Sequence, residues 1–270
     1  MRICVLTHRL DDPSFRVRWR QFFGAFVEAG FEVSAHAIPR SSRERRAILE
    51  AAADADVCVL HRRLLRAPVL RKLRRRARRL VYDFDDALLY RPVAPHRSKG
   101  RARRFWNTVA AADLVLAGNR YLAQIARLKA RRVAVVPTTV DTEALRPSRE
   151  KDAGFVAVWI GQRATLPHLE AVRATLLEAG RSIDGFRLRV VADAAPAGAE
   201  WVPWSLDAEG PALARAHVGL MPLPRDPFAR GKCGYKLLQY YAAGLPAIAS
   251  PVGVNRALAA GGALLSHPPG

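Results

Sequence analysis

HVGLMPLPRDPFARGKCGYKLLQYYAAGLPAIASPVGVN, residues 217–255, decides how this chain is read. Val218–Leu223 is an apolar run bounded by prolines, the pattern of a buried strand. The loop after it sets one Asp against Arg225, Arg230 and Lys232 and holds Gly231 and Gly234. From Tyr235 the apolar spacing becomes helical, with Leu237, Leu238, Tyr241 and Ala242 on one stripe, and Gly244 ends it as a C′ glycine. Leu245–Ser250 is a second short strand. Strand, glycine-and-lysine loop, helix and strand make a right-handed βαβ crossover. Such a loop aims backbone N–H groups and the positive end of a helix at one point, and the added cations suit a diphosphate.

The same grammar extends to both sides. Phe155–Ile160 reads as a strand, Gly161-Gln162-Arg163 as a polar corner, and Leu166–Ala179 as a helix with Pro167 in its first turn, so a second anion-receptive corner sits at Gly161. Phe186–Ala192 is a further strand and Trp201–Ser205 a short edge strand, with Trp204 expected in the core. Towards the N-terminus, strands are expected at Ile3–Thr7, Phe31–Ile38, Val57–Leu60, Leu80–Phe84, Leu114–Gly118 and Val133–Val136. Between them, Arg16–Ala29 reads as a helix with Phe22, Phe23, Phe26 and Val27 inward, and Ser41 with Glu44 as a capping box. Asn119 is expected to cap a helix that buries Leu122, Ile125, Ala126 and Leu128. Alternating strands and helices predict an α/β protein of two doubly wound, Rossmann-like domains. The polar, proline-bearing stretch before Gly154 separates them, giving domains at 1–146 and 155–270 with a linker at 147–154.

Two hundred and seventy residues, half of them hydrophobic, suffice for two cores. No apolar run is long enough to cross a bilayer, and charges at Arg9, Asp11 and Asp12 interrupt any leader, which points to the cytoplasm. Three scattered cysteines, Cys4, Cys58 and Cys233, make neither a metal site nor a disulfide framework. The formal charge of +20 invites a nucleic-acid reading. The basic runs at Arg71–Arg79 and Arg97–Arg104 carry no interleaved aromatic platform, however, so no nucleic-acid partner is expected. Leu65, Val69, Leu73 and Ala77 recur every four residues, which leaves the arginines of the first run on solvated helix faces. The sharper alternative is a surface for anionic lipid headgroups at the inner face of the membrane.

VYDFDDALLY, residues 81–90, is the densest candidate for chemistry in the first half. Alternation puts Asp83 and Asp85 on one side of a strand with Asp86 at its lip, and three carboxylates so close need cationic neighbours. Pairing with Arg78, Arg79 or Arg91 is the plain alternative to a functional role. His61, at the end of another strand, either orients a substrate or is a surface histidine without a role.

GKCGYKLLQYYAAGLPAIASPVGVN resembles the nucleotide-sugar-binding motif of the retaining, GT-B-fold group-1 glycosyltransferases, nearest to a branch with KCG-[FY]-K…Q at this place. Gly234 matches the motif glycine, while Gly231 and Gln239 stand where that family carries two glutamates. The resemblance implies two Rossmann-like domains facing across a cleft, and transfer of a sugar from a nucleotide-diphosphate donor with retention, without a metal or other cofactor. It implies Gly161, Arg163, Ser205, Arg230, Gly231, Gly234, Lys236 and Gln239 as donor-binding residues, with Lys232 steadying the leaving diphosphate. Asp85 would then meet the acceptor hydroxyl, flanked by Arg16, Arg18, Asp83 and Asp86 as acceptor-binding residues. The acceptor would be a glycan, a lipid-linked group or a small molecule. An Asp-x-Asp metal site, as in the other glycosyltransferase fold, is disfavoured by the doubly wound pattern. Relatives continue beyond GGALLSHPPG with further elements, so the second domain is expected to be incomplete, and the missing glutamates leave a non-catalytic nucleotide-sugar-binding protein as the rival reading. A basic nucleic-acid binder is the third.

Overall fold

The computed structural model describes residues 1–39, 42–259 and 263–265. The capping box expected at Ser41 and Glu44 lies outside the described residues and side chains. The chain forms two compact units: 1–138 with 226–233, and 139–225 with the residues from 234 onward. The division comes at Thr138–Thr139, ahead of the polar stretch at 147–154, because that stretch is tied into the second unit. There Asp152 pairs with Arg189 at 2.5 Å and with Arg215 at 2.7 Å.

In the first unit come β1 (Arg2–Thr7), α1 (Pro13–Arg18), α2 (Phe23–Glu28), β2 (Glu32–Ala37), α3 (Ser42–Asp54) and β3 (Val57–His61). They are followed by α4 (Ala67–Arg76), β4 (Leu80–Phe84), α5 (Lys99–Ala111), β5 (Leu114–Ala117), α6 (Arg120–Arg127) and β6 (Val133–Val135). The six strands pair in parallel in the order β2-β1-β3-β4-β5-β6. The order reverses between β1 and β3, the place in an open α/β sheet where the loops after two adjacent strands part and leave a crevice.

Three local expectations give way here. The single helix expected over Arg16–Ala29 is broken, because Asp12 accepts from the N–H groups of Ser14 and Phe15 and starts α1 at Pro13. A 3₁₀ turn then separates α1 from α2. This shift turns Phe15 and Trp19 into the core and leaves Phe22 and Val27 exposed. Asn119 does cap α6, its Oδ1 accepting from Leu122 N–H at 2.9 Å, but the buried residues are Leu122, Ala123 and Ala126 while Leu128 is exposed.

The second unit holds β7 (Phe155–Ile160), α7 (Leu166–Gly180), β8 (Phe186–Ala192), β9 (Glu200–Pro203), α8 (Leu206–Ala214) and β10 (Val218–Met221). After these come α9 (Tyr235–Ala242), β11 (Ala247–Ala249), α10 (Asn255–Leu258) and β12 (Ala263–Leu265). All six strands are parallel, ordered β12-β11-β10-β7-β8-β9, so the reversal lies between β7 and β10. On α9 the buried face carries Leu237, Gln239 and Tyr240 in place of the expected Leu238 and Tyr241. Tyr240 decides the register. Its hydroxyl donates to Leu220 O at 2.8 Å and accepts from Ile160 N–H at 3.3 Å. A Cβ on Gly219 would come within 2.3 Å of the Tyr240 ring, so glycine makes the room. Gly244 ends α9 with φ of 71°, a left-handed turn that favours glycine.

Candidate functional site

Two constellations occupy the strand ends at the two reversal points, one in each unit. In the first unit, Asp83 at the end of β4 is fully buried. It accepts from Arg18 Nε at 3.1 and 3.0 Å, from Arg18 Nη2, from Trp19 Nε1 at 2.8 Å and from His61 Nδ1 at 2.8 Å. Burial alone would raise the Asp83 pKa. Hydrogen bonds from His61 and Arg18, with the Arg18 charge, reverse that and hold it well below the usual carboxylate range. The opposite face of the His61 ring continues the chain: its Nε2 lies 3.3 Å from Ser14 Oγ, and that hydroxyl donates to Asp85 Oδ2 at 2.6 Å. Asp83 and Asp85 thus turn to the same side, as alternation requires, and His61 and Ser14 join them.

This geometry corrects several sequence expectations. His61 is buried at the middle of the network, not on the surface. Arg18 and Asp83, expected on an acceptor, spend their donors and acceptors on each other and on Trp19, His61, Val136 O and Thr138. Arg16 stands half-buried on α1.

Asp85 and Asp86 sit at the lip of β4 against Arg62, whose Nη1 is 3.2 Å from Asp85 Oδ1 and whose Nη2 donates to Asp86 Oδ2 at 2.5 Å. Arg62 has φ of 57°, a left-handed conformation unusual for a side chain of this size and of the kind that clusters at functional sites. Burial works against ionisation of Asp85, but the charges of Arg62, His61 and Arg18 and the Ser14 hydroxyl lower its pKa, so it is a carboxylate at neutral pH. The arginines weighed as partners for these acids, Arg78, Arg79 and Arg91, are not the ones used; Arg78 pairs with Asp56 instead.

The segment 226–233 packs on this unit as a strap. Lys232 Nζ pairs with Asp86 Oδ1 at 3.1 Å and lies 4.9 Å from the Phe228 ring centre. The Arg230 guanidinium lies over the Tyr121 ring at 5.2 Å. Asn119 Nδ2 donates to Gly231 O at 3.0 Å, and the Cys233 thiol donates to Asp85 O at 3.2 Å. Gly231 is pressed against the turn after β4, where a Cβ would stand 2.6 Å from Ala87 N. Burial and the nearby Asp85 and Asp86 charges push the Cys233 thiol pKa up, so it stays protonated. Lys232, Arg230 and Gly231 therefore belong with the aspartates of the first unit, although sequence reasoning placed them beside Gly161.

In the second unit the corner after β7 is built around Gly161. A Cβ there would meet Trp159 side-chain atoms at 2.3 Å and Lys236 Nζ at 2.8 Å. Lys236 lies in the first turn of α9, its Nζ 3.8 Å from the centre of the Trp159 ring. The helix starts at Gly234, whose φ of 72° supplies a turn that favours glycine. Arg163 is exposed, and its N–H donates to Asp193 Oδ1 at 2.5 Å. Gly161 and Lys236 come together at this reversal point, and Gly234 starts the helix that carries Lys236.

Two other residues have different employment. Ser205 caps α8 through Ala208 N–H. Gln239 is buried and donates to Glu209 Oε1 at 2.6 Å, while Glu209 Oε2 accepts from Trp204 Nε1 at 2.8 Å. That bond draws Trp204 to a half-exposed position, away from the expected core. Sequence reasoning missed Glu209 and Ser14, whose partners Gln239, His61 and Asp85 lie 30 to 71 residues away in sequence, and left His61 between a substrate role and none. Among the described residues no three His, Cys, Asp or Glu side chains are grouped to hold a metal ion, and no helix is long and apolar enough to cross a membrane.

No protein-family model and no curated protein sequence matches this chain. Solved structures do. The sucrose-phosphate synthase of Thermosynechococcus elongatus is similar over 100% of this chain and 87% of its own, with TM-score 0.71 and 13% identity. HepE of Anabaena, solved in complex with UDP and glucose, is similar over 95% of this chain and 82% of its own, with TM-score 0.65 and 14% identity. A glycosyltransferase from Rickettsia africae is similar over 94% of this chain and 80% of its own, with TM-score 0.61 and 10% identity. The chain has the GT-B fold of these glycosyltransferases.

Proposed function

We propose that this protein is a glycosyltransferase that moves a sugar from a nucleotide-diphosphate donor to an acceptor, with retention at the anomeric carbon and without a metal. One observation carries the reading: at the reversal point of the second sheet, Gly161 has no side chain, which lets Lys236 Nζ, on the first turn of α9, lie close against the backbone of the corner after β7. Backbone N–H groups and a lysine aimed at one point suit a diphosphate, and the same cation would stabilise the charge that grows on it as the glycosidic bond breaks. Arg163 supports the same group from the corner after β7, and Ser205 and Gln239 border the nucleoside end. HepE was solved with UDP and glucose, which makes a UDP-sugar the first donor to try.

In the first unit, Asp85 is the group proposed to receive the acceptor hydroxyl. Held ionised by Arg62 and oriented by Ser14, it is a weak base but a good acceptor for a hydrogen bond that aligns the nucleophile. Lys232 and Asp86 fix the strap beside it. The protein would work in the cytoplasm, and the arginine face of α4 accords with an acceptor displayed at the inner face of the membrane.

The test is a thermal-shift screen against UDP-, GDP- and ADP-sugars, with mass spectrometry of the product. One nucleotide sugar should raise the Tm of the wild type and not of Lys236→Ala. If none does, or if the variant responds equally, the reading fails. The Gln239–Glu209 bond favours a second reading, binding of the nucleotide sugar without transfer, which a donor-dependent shift with no product would establish.

A further inference from the structure

A cavity of about 520 Å³ opens in the first unit, where the order of its strands reverses. Thr7 at the end of β1 and His61 at the end of β3 form its floor, and the first turns of α5 form one wall. Five arginines line it: Arg62, Arg63, Arg91, Arg101 and Arg104. Against them stands one carboxylate, Asp12, whose Oδ1 is engaged in capping α1, with His8 as a further polar group. Asp85 and Asp86 lie behind Arg62 and pair with it, and Asp86 also meets Lys232 of the strap.

Three features of this pocket favour an anion in it. The first turn of α5 holds Lys99 and Arg101 and no acid, which opposes its own helix dipole. The Arg101 pKa is lowered by burial, with the neighbouring Arg62 and Arg91 charges adding to it, so the guanidiniums crowd one another. Thr7, 1% exposed, lines the cavity, and its buried hydroxyl has no hydrogen-bond partner among the described residues.

We propose that this cavity binds the phosphate or diphosphate group of the acceptor, so that the substrate class receiving the sugar is a phosphorylated one. The proposal rests on the glycosyl-transfer reading for the word acceptor. Planar guanidiniums match phosphoryl oxygens in pairs, and the Thr7 hydroxyl adds a donor at the floor. Gly100, in the first turn of α5, keeps that wall clear of side chain. The phosphate arrives on either a soluble sugar phosphate or a lipid, and the head group is the same chemistry in both.

The experiment is calorimetric titration of the full chain, with saturating nucleoside diphosphate present so that the donor site is filled. The probes are pyrophosphate, a hexose 6-phosphate and geranyl diphosphate. Pyrophosphate should bind the wild type, and Arg91→Gln with Arg104→Gln should weaken it at least tenfold while leaving Tm and nucleotide-sugar affinity unchanged. Arg91 and Arg104 are exposed, so their loss leaves the core intact. Tighter binding of the hexose phosphate than of pyrophosphate identifies a soluble acceptor, and tighter binding of geranyl diphosphate a lipid-linked one. Equal binding by wild type and variant overturns the site. Failure of both carriers to exceed pyrophosphate overturns its assignment to the acceptor. Loss of nucleotide-sugar binding in the wild type would instead strike the function proposed above.

Discussion

Replacing Asp83 with Ala removes the one anion that holds Arg18, Trp19 and His61 together. The Arg18 side chain is 3% exposed, so water cannot take over the charge. Breaking a buried pair by removing one partner costs about 3–5 kcal/mol, against roughly 5–15 kcal/mol for a whole domain. The first unit should therefore lose a fifth or more of its stability. Two units in one chain make a single unfolding curve ambiguous, so hydrogen exchange at the amides of β1, β3 and β4 is the better readout. Asp83→Leu combined with Arg18→Met should recover most of the loss, because no buried charge is then left uncompensated. The sign of the pH dependence follows from the lowered Asp83 pKa. A carboxylate whose folded pKa lies below its unfolded value of about 3.9 stabilises at all higher pH, and its contribution fades only as pH falls below about 4. The gap between wild type and Asp83→Ala should thus be flat from about pH 5 to 8 and close in acid. A loss under about 1 kcal/mol, or a gap that changes near neutrality, would refute the reasoning.

Other substitutions probe the strap and the second unit. Gly231→Ala drives a methyl to 2.6 Å from Ala87 N, a backbone atom that cannot swing aside, and should cost about 1–3 kcal/mol, read as faster exchange in the turn after β4. Gln239→Glu restores an acid where the related motif carries one, but sets it 2.6 Å from the Glu209 position. Two carboxylates this close raise a shared pKa, so the variant should be less stable than wild type at pH 8 and recover towards pH 5.5, as melting across that range would show. Lys232→Ala removes the partner of Asp86 and should lower turnover at least tenfold with little change in the nucleotide-sugar Kd, which steady-state kinetics beside direct binding can check.

The architecture was legible because parallel strands buried on both faces write themselves as apolar runs, such as LVLA at Leu114–Ala117 and FVAVWI at Phe155–Ile160. Glycines marked the corners for the same local reason, as at Gly161 and Gly234. What periodicity could not give was the pairing of distant polar groups. VYDFDD announced a charged site, yet nothing in the spacing says that Ser14 and His61 would bridge its first two acids. The Arg16–Ala29 segment misled because its aromatic spacing fits one helix, while Asp12 caps an earlier start and rotates the buried face. The lysine loop misled because sequence adjacency to α9 suggested a common home. The fit of Gly231 against Ala87 and of Cys233 beneath Asp85 ties it to the first unit instead.

That tie reaches into how the protein is made. The first unit includes residues 226–233, so a ribosome that has delivered residue 138 must translate the stretch 139–225 before that unit can be completed. At about 5–20 residues per second the delay is roughly ten seconds, during which the nascent first unit lacks the thiol that rests on Asp85 and the ammonium that meets Asp86. Vectorial synthesis thus leaves the aspartate cluster as the last part of its own unit to be sealed.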